Sequence, residues 1–368
     1  MYSRPFIIAT AFTFVFCAFL CALVLITRNG DPTSFAVMGT LFTNRTADVP
    51  DPTETVGYDG QFVYYIARDG AASLPLLDGP SFRLQRILYP LAGRVLALGQ
   101  RELVPWSLLV INLIAQSIGA GLMAVLLSTY PRAPAILGGI TYGLWVGLIF
   151  ALRLTLTEIL CFTLAIGAIL AYRNSHFRTT VILLMLSTIT KELGLVIAAG
   201  LALHAFAQKR LGWGILIFGA PLALLMTWWG ILRLMFGDIP TQYPAARFEL
   251  IPLRGVFIGK VDAVEFIMLG LWVIIPTLIL FTLAIMILWR NRRLSVSTSL
   301  VLAASAFIFV MPGVSWEDPL AAYRVATPII VAGLIFLAEH FPKRMKWFCI
   351  LWLSALALAA LLPTLWVI

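Results

Sequence analysis

The sequence predicts an all-α polytopic membrane protein of about 11 transmembrane helices, with a long first outer loop that contains amphipathic interfacial helices. Three observations predict it. Apolar residues make up 61% of the 368 residues and charged residues only 12%, whereas a soluble domain carries roughly 45–50% and about 25%. Mean hydropathy is +0.96, which leaves too little polar surface to cover a water-soluble globule of this size. The apolar residues are also gathered into runs that approach the roughly 20 residues needed to cross a bilayer as a helix. Disorder, coiled coil and a disulfide scaffold are excluded by the same figures.

The first run, Pro5–Thr27, follows Arg4, is longer than a signal-peptide core and lacks a small-residue cleavage site, so it reads as an uncleaved anchor. Further runs are Val104–Tyr130, Ala133–Ala151, Leu156–Tyr172, Thr180–Thr190, Leu193–Gln208, Trp213–Phe236, Phe266–Trp289, Ser295–Pro312, Val325–Leu337 and Trp347–Ile368. The fifth and sixth of the eleven are short and flank Lys191-Glu192. They are either two thin spans or one broken helix, and the second option would flip every later orientation.

Charge decides between them. With eleven spans and a cytoplasmic N-terminus, the cytoplasmic ends collect Arg4, Arg132, Arg173, Arg178, Lys209, Arg210, Arg290, Arg292, Arg293, Lys343, Arg344 and Lys346, with Glu339 the one acid among them. Retention of positive charge on that side supports the threading. It also accounts for the net charge of +9 without a nucleic-acid partner. Cys17, Cys21, Cys161 and Cys349 all fall inside apolar runs and have no metal-ligand spacing.

Two segments lie outside in this threading. Arg28–Glu102 opens on loop signals and then holds two helical stretches: the aromatic-rich Tyr58–Arg68, and Ser81–Leu98. In the latter, Leu84, Ile87, Leu88, Leu91, Val95 and Leu98 form one apolar face, with Arg83, Arg86 and Arg94 interleaved. That pattern predicts a helix lying at the membrane surface. Asp238–Asp262 reads as an ordered loop over the outer face. Asn44-Arg45-Thr46 matches a glycosylation sequon on the same side.

Ionisable groups near membrane depth are costly and mark function. One face collects Asp59, Asp78, Arg83, Arg86, Arg153, Glu158, Lys191, Glu192, Arg233, Glu317, Asp318 and Arg324 from at least five outer connections. A cavity so lined suits an anionic, lipid-linked substrate. Asp59 either caps the helix that follows it or serves as a base, and aromatic neighbours on both sides favour a sugar cleft. Arg83 and Arg86 either bind phosphate in bidentate fashion or snorkel to headgroups. Asp78 is a cap or a site residue, and so is Glu158. Lys191 and Glu192 either pair in a short loop or present a cation to phosphate. Arg324 is a second phosphate candidate, while Trp316 and Tyr323 fit an interfacial belt. His176, His204 and His340 show no ligand spacing, so neither a metal site nor a Ser-His-Asp triad is expected. No Gly-rich phosphate loop is present.

The stretches Tyr58-Asp59-Gly60-Gln61-Phe62, Tyr65-Ile66-Ala67 and Phe82-Arg83-Leu84-Gln85-Arg86-Ile87-Leu88-Tyr89-Pro90-Leu91 resemble the first outer loop of bacterial membrane glycosyltransferases of the GT-C superfamily. Thr155-Leu156-Thr157-Glu158, Thr190-Lys191-Glu192 and Tyr323-Arg324 add further landmarks in order along the chain. The resemblance implies a single transmembrane catalytic domain over 1–368 in a bacterial inner membrane, with a periplasmic active site, a polyprenyl-phosphate sugar donor and inversion at the anomeric carbon. It maps the first-loop acid onto Asp59. Such families often carry a paired acidic motif there; Gly60-Gln61 follows instead, so no metal cofactor is expected.

Together these readings predict a glycosyltransferase moving a sugar from a lipid-linked donor to a glycan, lipid or protein acceptor of the cell envelope. Asp59 is the expected catalytic base, and Arg83, Arg86, Lys191 and Arg324 are the donor-phosphate ligands. Tyr58, Gln61, Tyr64, Tyr65, Asp78, Glu158, Glu192 and Glu317 form the sugar and acceptor site. The alternatives are a transporter or flippase of lipid-linked sugars, and a non-catalytic subunit of an envelope assembly complex. No internal pseudo-repeat supports the transporter.

Overall fold

The computed structural model describes residues 3–43, 55–243, 246–258 and 261–357. The sequon at Asn44-Arg45-Thr46 and the end of the last apolar run lie outside them. Helices account for 80% of the structure and no strand occurs among the described residues. In chain order the helices are α1 (Ser3–Thr27), α2 (Thr40–Thr43), α3 (Gly60–Asp69), α4 (Pro80–Leu84), α5 (Leu88–Leu96), α6 (Val104–Ser128), α7 (Ala135–Gly143), α8 (Val146–Arg153), α9 (Glu158–Arg173) and α10 (Phe177–Thr190). There follow α11 (Gly194–Ala207), α12 (Leu211–Phe236), α13 (Arg254–Ile258), α14 (Ala263–Leu269), α15 (Ile275–Asn291), α16 (Val296–Phe309), α17 (Gly313–Glu317), α18 (Pro319–Val325), α19 (Thr327–His340) and α20 (Pro342–Ser354).

Among the described residues, four helices are long and apolar enough to cross a membrane: Arg4–Thr27, Arg101–Ser128, Leu211–Phe236 and Ala263–Asn291, the last running from α14 through a π-helical turn into α15. The number rises to six if the bent pairs α7–α8 (40°) and α18–α19 (44°) each count as one span. Helices α10, α11 and α16 are apolar but have only 14 residues each, about 21 Å of helix. The long helices carry large apolar side chains on their exteriors: Val15 and Ile26 on α1, Leu211, Ile215 and Leu234 on α12, Met286 and Trp289 on α15. Apolar exteriors of this extent fit hydrocarbon rather than water.

The core forms where α1 packs on α6 and α7, α6 on α9, α9 on α10, α11 on α12 and α16, and α16 on α19. All four cysteines are buried and free. Helices α9 and α11 run one way and α10 and α16 the other. Glu158, Thr190, Gly194 and Phe309 mark one end, and Arg173, Phe177, Ala207 and Val296 mark the other. The two ends of the bundle therefore differ in chemistry, as described below.

The Ser81–Leu98 stretch departs from expectation. It folds as α4 and α5, broken at Gln85 to Ile87, rather than as one surface helix. Its apolar stripe is exposed only towards the end, at Leu91, Val95 and Leu98. Arg94 turns back to donate to the carbonyls of Ala67 and Arg68 (3.2 and 3.0 Å), meeting carbonyls near the end of α3. Trp228 of α12 donates to the Leu84 carbonyl (2.9 Å) and fixes α4 against the bundle. The 238–243 segment covers α4 from above, with Tyr243 stacked on Phe82.

Candidate functional site

Asp59 is placed by the backbone around it. Gly57 takes φ +71°, a left-handed conformation that favours glycine, and bridges to Met38. The Gln61 side chain accepts from Gly39 N (3.0 Å) and donates to the Val56 carbonyl (2.8 Å), which ties both strands of this loop to α3. Gly60 lies so close to the turn after α8 that a Cβ there would fall 1.9 Å from the Leu154 carbonyl oxygen. That turn contains Thr155 at φ +53°, an unfavourable conformation for a β-branched residue, three residues before Glu158.

Asp59 precedes α3 but makes no side-chain cap hydrogen bond. Its carboxylate instead accepts from Arg83 Nη1 at 2.7 Å and lies 3.7 Å from Arg324 Nη2. Arg83 reaches it from α4, and its other face pairs with Asp78 through two bonds of 2.7 Å. The guanidinium lies over the Phe62 ring, 4.1 Å from its centroid. Asp78 is thus an ion-pair partner and not a helix cap; Gly79 stands at the cap position.

Arg86 turns inward as well, with two bonds to Glu192 of 3.0 and 2.6 Å, the bidentate geometry that makes such pairs strong. Neither arginine snorkels. Beneath them, Glu158 is fully buried at the start of α9 and accepts from Lys191 Nζ (2.7 Å) and Arg324 Nη1 (3.1 Å) through one oxygen, Oε1. Its other oxygen, Oε2, is buried without a hydrogen-bond partner among the described residues. Arg324 also donates to the Tyr58 hydroxyl (3.0 Å), which in turn donates to Asp318. Asp318 accepts from Leu320 N (2.9 Å) and so caps α18.

These groups line a cavity of about 540 Å³. Its ionic and polar lining is Tyr58, Asp59, Asp78, Arg83, Arg86, Lys191, Glu192, Asp318 and Arg324. Its apolar lining includes Phe62 and Phe82 beside the arginines, Leu193 before α11, Leu195 and Val196 of α11, Leu225 and Trp229 of α12, and Phe248, Phe307 and Val314. Trp229 Nε1 is buried with no hydrogen-bond partner among the described residues. A cavity lined by both ionic and apolar side chains suits a ligand with a charged part and an apolar part. A smaller void of about 20 Å³ lies below, bounded by Asp59, Glu158, Lys191 and Arg324, and is large enough for one water molecule.

Electrostatics set the state of Asp59. Burial raises its pKa, but the guanidinium of Arg83 and then those of Arg324 and Arg86 outweigh burial and hold the carboxyl well below the usual carboxylate range. Glu192 follows the same pattern: burial acts upward, Arg86 acts downward, and Arg86 wins. Among the described residues no group of three or more His, Cys, Asp or Glu side chains is placed to hold a metal ion.

The structure brings together Tyr58, Asp59, Gln61, Asp78, Arg83, Arg86, Glu158, Lys191, Glu192 and Arg324 at this cavity and the void beneath it. It does not bring Tyr64, Tyr65 or Glu317 there. Tyr64 and Tyr65 are buried on the far side of α3, where they pack against Arg68. Glu317 is exposed at the end of α17, and its neighbour Asp318 faces the cavity in its place. Arg153 donates to the Ser34 carbonyl, away from the cavity, and Arg233 is exposed on α12. The apolar lining residues, Trp229 among them, escaped sequence reasoning because they look like ordinary span residues. No protein-family model, curated protein or solved structure matches this chain.

Proposed function

We propose that the chain is a membrane glycosyltransferase of GT-C type that moves a sugar from a polyprenyl-phosphate donor to a cell-envelope acceptor. The observation that carries this reading is the mixed lining of the cavity, in which a dense set of carboxylates and cations shares one enclosure with apolar residues of α11 and α12. A donor with a charged head and an apolar tail has the same two parts. The tail lies along Leu195, Val196 and Trp229, and the phosphate meets Arg83, Arg86, Lys191 and Arg324.

The ion pairs supply the chemistry. Asp59 is a weak base while Arg83 and Arg324 hold it, because a general base works best with a pKa near the operating pH. A donor phosphate competes for Arg83 and draws it away, which raises the basicity of Asp59 where the acceptor hydroxyl arrives. The acceptor oxygen then attacks the anomeric carbon and its proton passes to Asp59. The bond from that carbon to the phosphate oxygen breaks, with inversion. The lipid phosphate leaves with its charge stabilised by the arginines and Lys191.

The eleven-span threading with a cytoplasmic N-terminus belongs to this reading, in a bacterial inner membrane with the cavity on the periplasmic side. Two features support it. The basic ends of α9, α11, α15 and α19 meet at the end of the bundle opposite the cavity. Helices of about 21 Å, measured from that basic end, stop short of the roughly 30 Å of hydrocarbon, so the Lys191-Glu192 break sits below the outer headgroups, where a lipid-borne sugar is delivered. The test is donor consumption by purified protein across a panel of polyprenyl-phosphate sugars. Consumption abolished by Asp59→Asn supports the reading, and no consumption of any donor, with or without envelope acceptors, defeats it.

A further inference from the structure

At the end of the bundle away from Asp59 lies a second cavity of about 840 Å³ between the termini of α6, α9, α11, α15, α16 and α19. It is lined by Tyr130, Arg173, His204, Arg293, Ser295 and His340, with Glu339 as its one acid. Arg173 is stacked over the Tyr130 ring, 4.4 Å from the centroid, which leaves the guanidinium edge for a ligand. Its Nη1 is buried with no hydrogen-bond partner among the described residues. Orphaned cationic donors in protein interiors are costly, so this one calls for an acceptor. Arg293 forms no hydrogen bond or ion pair among the described residues and projects from the connection before α16. His204 uses Nδ1 towards the Tyr172 hydroxyl (2.7 Å), so Nε2 remains for the cavity. Glu339 accepts from Tyr130 (3.2 Å) and lies 3.6 Å from His340 Nε2. It is thereby engaged at the rim and does not pair with either arginine.

We infer that this cavity binds a phosphate group, with Arg173 and Arg293 as its two guanidinium ligands, and that the phosphate is the headgroup of an anionic phospholipid. The lipid source follows from the surroundings. Ile287 lines the cavity, and the neighbouring α15 surface runs outward as exposed Met286 and Trp289, an apolar track for acyl chains beside the headgroup. Lys209, Arg210, Arg290 and Arg292 surround the same end, and basic pockets between spanning helices are suited to anionic headgroups. The assignment is independent of what the Asp59 cavity does.

Native mass spectrometry of the full-length protein, stripped of lipid in neutral detergent, tests it with three probes: phosphatidylglycerol, phosphatidylcholine and glycerol phosphate. The expected result is one tightly retained phosphatidylglycerol, in preference to phosphatidylcholine, with weak binding of glycerol phosphate. Arg173→Gln and Arg293→Gln each weaken phosphatidylglycerol about tenfold, the scale of one lost charge-assisted contact. Arg293 is exposed and bonded to nothing, so its variant keeps the test intact if Arg173→Gln fails to fold. Glycerol phosphate matching phosphatidylglycerol overturns the lipid as the source while upholding the phosphate site. Equal binding of the two lipids, or phosphatidylglycerol binding unchanged in Arg293→Gln, overturns the inference.

Discussion

Glu158→Gln isolates the charge beneath the cavity. Glutamine keeps the shape and one acceptor oxygen but removes the anion that Lys191 and Arg324 share at 2.7 and 3.1 Å. All three side chains are at most 5% exposed. Two cations then face each other in a dry site. Breaking a buried pair in this way costs about 3–5 kcal/mol, because the remaining charge is uncompensated. In detergent the unfolding temperature should fall by on the order of 5–10 °C, read by loss of the monodisperse peak on size-exclusion chromatography after heating. The double variant Glu158→Gln/Lys191→Met should recover at least half of the loss, since Arg324 retains Tyr58 and Asp59. A single variant that unfolds within about 1 °C of the parent would refute the buried ion-triad account, and so would a double variant less stable than the single.

Asp59→Asn should abolish sugar transfer while the protein elutes and inserts as before, as judged by the donor-consumption assay beside chromatography. Because the folded pKa of Asp59 is depressed, its ion pairs contribute stability above the unfolded value of about 3.9. That contribution declines as pH falls from there through the folded value; acid unfolding curves of Asp59→Asn should therefore be flatter in that limb than those of the parent. Gly60→Ala drives a Cβ into the Leu154 carbonyl, so it should cost about 1–3 kcal/mol in thermal unfolding and lower turnover. Arg86 and Glu192, with side chains 17% and 32% exposed, should show a coupling of only about 1 kcal/mol in a double-mutant cycle, since solvent screens them.

Much of the architecture was legible in composition and charge. Apolar runs marked the long helices within a few residues, and the basic connections predicted which termini gather at one end. The convergence of Asp59, Lys191 and Arg324 was also legible, because ionisable residues at the ends of apolar runs have few places to go. Side-chain direction was not. Tyr64 and Tyr65 stand five and six residues after Asp59, and the 100° step of a helix carries them round to the buried face, while Phe62 stays by the cavity. The break after Leu84 had a signal that went unread: Pro90, in the first turn of α5, has no N–H for the Arg86 carbonyl and crowds it. It leaves Arg86 in the turn between α4 and α5, from which it reaches Glu192, while Arg83 on α4 reaches Asp59 and Asp78. The choice of Glu317 over Asp318 overlooked an Asp-Pro pair at a helix start, a capping signal.

The central claim is that the cavity at Asp59 holds a lipid-linked sugar by its phosphate. A structure of the Asp59→Asn variant with a saturating polyprenyl-phosphate sugar tests it most directly. The account predicts the phosphate within hydrogen-bond distance of Arg83 or Arg86, the salt link from Arg83 to Asp78 opened, and the prenyl chain against Val196 and Trp229. A donor bound elsewhere on the protein, or a cavity left empty with both arginine pairs intact, would contradict it.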